Sequence, residues 1–177
     1  MIIFDLDGTL SCCEHRRHYV DPDRDDNAFE FEPGRYYHNN AWIEQNTMIP
    51  WKPNWKAFYQ ACEHDKPIEP VVRMWADQIS LGAMGFHQIW SGRCASVRKQ
   101  TEKWLDKHLL CFEPHQLKMR PIGDNTPDDV LKERWLDEAI AEGKSIDFVV
   151  DDRPKVVRMW RRRGVFVFDV NQTGKEF

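Results

Sequence analysis

The chain has 177 residues, a formal net charge of −4, 41% hydrophobic and 31% charged residues. That composition gives one globular domain with a sizeable core and excludes a disordered chain. The acidic balance argues against broad capture of a nucleic-acid duplex or an anionic membrane, while leaving room for a local basic pocket. No apolar stretch is long enough to cross a bilayer, and the N-terminus lacks the pattern of a secretory signal. The five cysteines (Cys12, Cys13, Cys62, Cys94 and Cys111) are odd in number and unevenly spaced, which points to reduced thiols and a cytoplasmic setting.

In chain order, Met1–Asp5 reads as a short buried strand, because Ile2, Ile3 and Phe4 are continuously apolar. An insert of about residues 11–66 follows. From Ser11 to Pro53 it is rich in His, Asn, Asp, Arg and aromatics, with Pro22, Pro33, Gly34, Pro50 and Pro53 as breakers, and it reads as a loop-rich cap. Asn54 has the form of a helix cap ahead of Trp55, Phe58, Tyr59 and Cys62. Pro70 starts a helix that ends near Leu81-Gly82. Gly85–Trp90 is a second strand, followed by Ser91-Gly92-Arg93 and a helix to about His108. Gln116–Met119 is a short strand. Thr126-Pro127-Asp128-Asp129 reads as a helix start with Thr126 as the cap, and that helix stops near Gly143. Ile146–Val150 is an apolar strand ending at Asp151-Asp152. A helix from Pro154 to Arg163 and a strand from Val165 to Val170 complete the chain. Strands alternating with helices predict a three-layer α/β fold with a mainly parallel sheet.

The chemistry-bearing residues fall at the carboxyl ends of these strands: Asp5 and Asp7 after the first, Ser91 and Arg93 after the second, Asp151 and Asp152 after the fourth. Open α/β sheets bind ligands at that rim, so the clusters are expected to converge. Carboxylates packed together repel unless a cation neutralises them, and Mg²⁺ is the natural oxygen-preferring occupant. A magnesium ion that accepts phosphate oxygens suits phosphoryl chemistry.

Asp5-Leu6-Asp7-Gly8-Thr9-Leu10 resembles the first motif of the haloacid dehalogenase (HAD) superfamily of phosphotransferases. Ser91, Lys132 and Asp151-Asp152 resemble the three later motifs, in order. Ser91-Gly92-Arg93, Met119-Arg120, Asp128-Asp129-Val130-Leu131-Lys132-Glu133, Asp151-Asp152-Arg153 and Val156–Arg162 narrow the resemblance to the 3′-phosphatase domain of phage-type polynucleotide kinase–phosphatases. The insert is longer than that domain's short connection. The chain has no GxxxxGK[ST] loop, so no 5′-kinase activity is expected of it.

The resemblance implies a Mg²⁺-dependent phosphomonoesterase acting on 3′-phosphates of polynucleotide ends, with a mononucleotide or other small-molecule phosphatase as the alternative. A non-catalytic phosphate-binding module is the remaining class, and it has no need for Asp7 beside Asp5. Asp5 is then the nucleophile, Asp7 the acid and base with a pKa above that of Asp5, and Ser91 and Lys132 catalytic partners. Arg16, Arg93, Arg120 and Asp128 serve substrate binding, with Asp128 orienting Lys132 from one helical turn away. Metal binding falls to Asp5, Asp7 (through its carbonyl), Asp151 and Asp152. A phosphorylated nucleic-acid end or nucleotide is the expected partner, and no obligate protein partner is expected.

Other features have plainer readings. Cys12, Cys13, His15 and His18 match no usual zinc spacing and read as loop residues with free thiols. Arg158, Arg161, Arg162 and Arg163 read as the solvated end of a helix. Phe29, Phe31, Tyr36, Tyr37, Trp42, Trp51 and Trp55 read mostly as packing within the cap, with base stacking as the alternative.

Overall fold

A computed structural model describes residues 1–21, 52–82, 86–172 and 174 in full, and the backbone of four strands between residues 29 and 50. The strands are β1 (Ile2–Phe4), β2 (Ser11–Cys12), β3 (Phe29–Glu32), β4 (Arg35–His38), β5 (Ala41–Glu44), β6 (Thr47–Pro50), β7 (Lys66–Pro67), β8 (His87–Cys94), β9 (Leu117–Arg120), β10 (Phe148–Asp151) and β11 (Val167–Asp169). The helices are α1 (Trp55–Gln60), α2 (Glu69–Ser80), α3 (Arg98–His108), α4 (Asp128–Ala141) and α5 (Pro154–Arg162).

Five strands form the central sheet in the order β11-β10-β1-β8-β9, all parallel. β1 lies in the middle because its three residues are apolar on both faces. Phe4 joins Leu6, Trp75, Trp104 and Leu105 in a core with α2 and α3. Ile3 joins Trp90, Leu131, Trp135 and Trp160 in a second core with α4 and α5. Alternating side chains of one strand thus build both cores of a three-layer α/β fold, as the sequence pattern predicts.

The structure revises three local expectations. Among its described residues the insert is not loop-rich: β3 to β6 make a four-stranded antiparallel sheet in sequential order. Each strand carries aromatic or β-branched residues among polar ones. β3 pairs with β4 up to Glu32 opposite Arg35. The aromatic side chains of Phe29, Phe31, Tyr36, Tyr37, Trp42 and Trp51 lie outside the described residues. The second sheet strand also runs on through Ser91-Gly92-Arg93 to Cys94.

The third revision concerns α4, which is capped at Pro127 and not at Thr126. Thr126 instead gives its N–H to Asp124 Oδ1 at 2.8 Å, and its carbonyl accepts a hydrogen bond from Arg120. Asn54 does cap α1, accepting from the Ala57 N–H at 3.0 Å. β2 and β7 pair antiparallel, so the chain leaves and re-enters the core side by side. Among the described residues no helix is long and apolar enough to cross a membrane, and all five cysteines are free.

Candidate active site

The turn after β1 is built by its own six letters. Leu6 and Leu10 are fully buried and anchor it. The Leu6 carbonyl accepts from the Leu10 and Ser11 N–H groups at 3.0 and 2.8 Å. Gly8 has φ +90°, and a Cβ there would overlap the Asp152 carboxylate. The glycine therefore serves both the left-handed turn and the approach of an acid 144 positions downstream. The Thr9 hydroxyl donates to that same acid, Asp152 Oδ1, at 3.0 Å.

Parallel pairing of β1 with β10 and β8 brings the three predicted clusters to one rim. Lys132, from the buried side of α4, donates to Asp5 Oδ1 at 2.6 Å and to Asp151 Oδ2 at 2.8 Å. Asp151 also accepts from the Arg153 N–H at 3.1 Å and from the Trp160 indole at 3.3 Å. Burial lifts the Asp5 carboxyl well above the usual range, and Asp151 and Asp152 lift it further against the pull of Lys132. Burial and Asp151 likewise push Asp152 up to about 7. Burial disfavours the Lys132 cation, but Asp151 and Asp5 outweigh it and keep the ammonium charged.

Asp7 sits in the opposite environment. Its carboxylate accepts from Arg16 at 2.5 Å, from two nitrogens of Arg93, and from the Ser11 hydroxyl at 3.2 Å. Burial alone would raise its pKa, but the two guanidinium groups hold it well below the usual carboxylate range. The expected order, Asp7 above Asp5, is therefore reversed in this state, because Asp7 faces two cations and Asp5 faces two anions and one cation.

Both arginines are fully buried and are also held by Asp65, which had no place in the sequence reading. Asp65 accepts two hydrogen bonds from Arg16 at 2.7 Å and one from Arg93 at 3.0 Å. The Phe58 ring lies 4.1 Å beneath the Arg16 guanidinium. Asp65 is one of many acids in the insert, and only its contacts reveal its part.

The remaining expected residues divide. Arg120 donates to the Gly92 carbonyl at 2.8 Å and pairs with Asp128. Asp128 also pairs with Arg153, and a Cβ on Gly92 would overlap the Asp128 carboxylate. Asp128 accepts no hydrogen bond from Lys132, its oxygens being taken by two arginines, and acts on it only through its charge; Lys132 is held by Asp5 and Asp151. Ser91 is buried within β8, and its hydroxyl accepts from the Arg93 N–H at 3.1 Å. A cavity of about 520 Å³ is lined by Asp5, Asp7, Arg93, Arg120, Asp128 and Lys132, together with aromatic residues of α1. The Cys12, Cys13, His15 and His18 group forms no metal cluster among the described residues.

The family model of the polynucleotide kinase PNKP phosphatase domain, a HAD group, matches residues 54–174. The chain belongs to the HAD family of PNKP phosphatase domains. The chain spans less than half the length of the relatives it matches. A putative bifunctional polynucleotide kinase/RNA ligase of Autographa californica nuclear polyhedrosis virus is 34% identical over 88 residues, which are 49% of this chain and 12% of that protein. Two solved structures of Pnkp1/Rnl/Hen1 complexes, one of them an RNA repair complex, superpose with TM-scores of 0.61 and 0.62 at 25% identity. They cover 96% of this chain and 41% and 45% of theirs. The PNKP-domain match begins at residue 54, so it takes in α1 and Asp65, which the sequence reading assigned to the cap.

HAD phosphatases of this family use Mg²⁺, and the residues present fit such an ion. One carboxylate oxygen from each of Asp5, Asp151 and Asp152 lies within 4.8 Å of the others. The donors are all hard oxygens, and the upward pressure on Asp5 and Asp152 is what a dication would relieve. Asp7 is not part of that trio through its side chain.

Proposed function

We propose that this chain is a Mg²⁺-dependent phosphomonoesterase that removes 3′-phosphates from polynucleotide ends through an aspartyl-phosphate on Asp5. The observation that carries the reading is the Lys132 bridge between Asp5 and Asp151, beside Asp152, in a chain of the PNKP phosphatase family. Lys132 aims the Asp5 carboxylate and offsets the repulsion between it and an anionic phosphate. A bound Mg²⁺, held by Asp5, Asp152, Asp151 and the Asp7 carbonyl, would add charge stabilisation at the phosphoryl oxygens.

Asp5 attacks phosphorus and the 3′-oxygen leaves. Asp7 gives that oxygen a proton and later takes one from the water that hydrolyses the acyl phosphate. In the resting state Asp7 is held ionised by Arg16 and Arg93. A substrate phosphate competes for the Arg93 guanidinium, which borders the cavity, and this lets Asp7 take up a proton as the site fills. Arg120 and Arg153, paired through Asp128, border the cavity and suit the phosphates of the adjoining strand. The product is a 3′-hydroxyl end, which a ligase requires, and this agrees with relatives named for RNA ligation and RNA repair. A soluble location in the cytoplasm accords with that chemistry.

The test is a substrate panel with Mg²⁺ present: 3′-phosphorylated oligodeoxy- and oligoribonucleotides against 3′- and 5′-mononucleotides. Phosphate release is expected chiefly from the oligonucleotides. Release only from mononucleotides would replace the polynucleotide reading with a nucleotidase, and no release from any of them by the folded, Mg²⁺-binding protein would leave a phosphate-binding module.

A further inference from the structure

Trp55 opens α1 directly after the Asn54 cap and is 45% exposed, whereas the other five tryptophans among the described residues are buried. Its ring is nevertheless fixed. It stacks on Tyr59 with centroids 5.9 Å apart and planes 30° apart, and it meets Phe58 edge-on at 5.7 Å. These are the i+4 and i+3 neighbours on one helical face. Phe58 is already engaged by the Arg16 guanidinium. The Tyr59 hydroxyl feels the charges of Arg120, Asp128 and Asp7. All three rings line the cavity that contains Asp5, so one aromatic wall runs from the charged rim to an exposed indole.

A phosphate group needs cations and N–H donors and gains nothing from such a wall. A flat apolar face beside a phosphate site suits a nucleobase, and a cavity of about 520 Å³ is within the range of nucleotide-sized ligands. Arg153 and Lys155 line the same cavity and add positive charge where a strand would continue. The cap-packing alternative for Trp55 would leave an indole nearly half in water while its neighbours hold it rigid.

We infer that Trp55 is a stacking platform for the base of the nucleotide whose terminal phosphate meets Asp5, and that it sets the preference for a nucleotide over a bare phosphomonoester. The inference rests on the substrate class proposed above. It is tested with a 3′-phosphorylated oligonucleotide, in deoxy and ribo forms, carrying 2-aminopurine as the terminal nucleoside. The titrated protein is Asp5→Asn, so that nothing turns over.

Binding is expected to quench the 2-aminopurine fluorescence. Adding Trp55→Ala is expected to remove the quench and weaken binding on the order of 5- to 150-fold, and Trp55→Phe to restore most of it. In otherwise wild-type protein, Trp55→Ala should lower kcat/KM for the oligonucleotide relative to p-nitrophenyl phosphate by a similar factor, through KM. No quench with Trp55 present, an unchanged quench and affinity in Trp55→Ala, or equal losses on both substrates would overturn the inference. Failure of the wild-type protein to release phosphate from the oligonucleotide would instead reject the substrate reading, and the titration would still decide the role of Trp55.

Discussion

Arg16 and Arg93 lie fully buried against Asp7 and Asp65, whereas Arg162 and Arg163 lie 64% and 28% exposed against Glu133 and Asp137. The ion pairs are of the same type, but their energetics differ. Desolvating a guanidinium costs several kcal/mol, and a fold that needed only stability would do as well with apolar packing there. The surface pairs tie the end of α5 to α4 at little cost in desolvation and contribute little in return. Buried charge beside a cavity and the acidic trio therefore marks function, and exposed charge on a helix end marks solvation.

The largest expected effect comes from removing the acid that holds the buried pair together. Asp65→Ala leaves Arg16 and Arg93 short of charge and removes three hydrogen bonds, and it should destabilise the protein by about 3–5 kcal/mol in urea unfolding. A loss under about 1 kcal/mol would erase the distinction between the two clusters.

Next is the response to pH without divalent metal. The Asp152 carboxyl, raised to about 7 in the fold, disfavours folding when ionised. The folded state therefore takes up its proton first, and stability should rise as pH falls from about 7.5 toward 4.5. Asp7 has the opposite sign: its pKa is depressed, so its contribution is intact above the unfolded value and is lost on further acidification below about 4. Thermal unfolding should show a rise on the order of 1–3 kcal/mol between pH 7.5 and 4.5, and Mg²⁺ should flatten it by holding Asp152 ionised. A rise that persists unchanged in Mg²⁺ would count against metal binding by that carboxylate.

The smallest effect is expected at the surface. Arg163→Ala breaks partly exposed pairs to Glu133 and Asp137, and it should cost no more than about 1 kcal/mol, with turnover unaltered. A larger loss would show that the outer pairs matter as much as the inner ones.

Much of this arrangement is legible in the residues themselves. The apolar run Ile2–Phe4, the strand endings at Asp5 and Asp151, and the cap at Asn54 rest on local pattern, and the fold follows it. The site is less legible wherever a contact spans the chain. Asp65 meets Arg16 across 49 positions, with no local sign of the pairing. Asp128 is four residues from Lys132, the spacing of a helical ion pair, yet Arg120 and Arg153 compete for it and win. Thr126 has the look of a cap, but its backbone is already committed to Asp124 and Arg120. Prolines and glycines in the insert read as loop, although short antiparallel strands fill much of the same segment.

The nucleophile assignment to Asp5 is tested most directly by trapping the intermediate. Protein turning over a 3′-phosphorylated oligonucleotide with Mg²⁺ is quenched in acid, and the peptide carrying Asp5 is examined by mass spectrometry. One phosphoryl group on Asp5 is expected, with no label and no turnover in Asp5→Asn. Phosphate release that continues undiminished in Asp5→Asn would contradict the account.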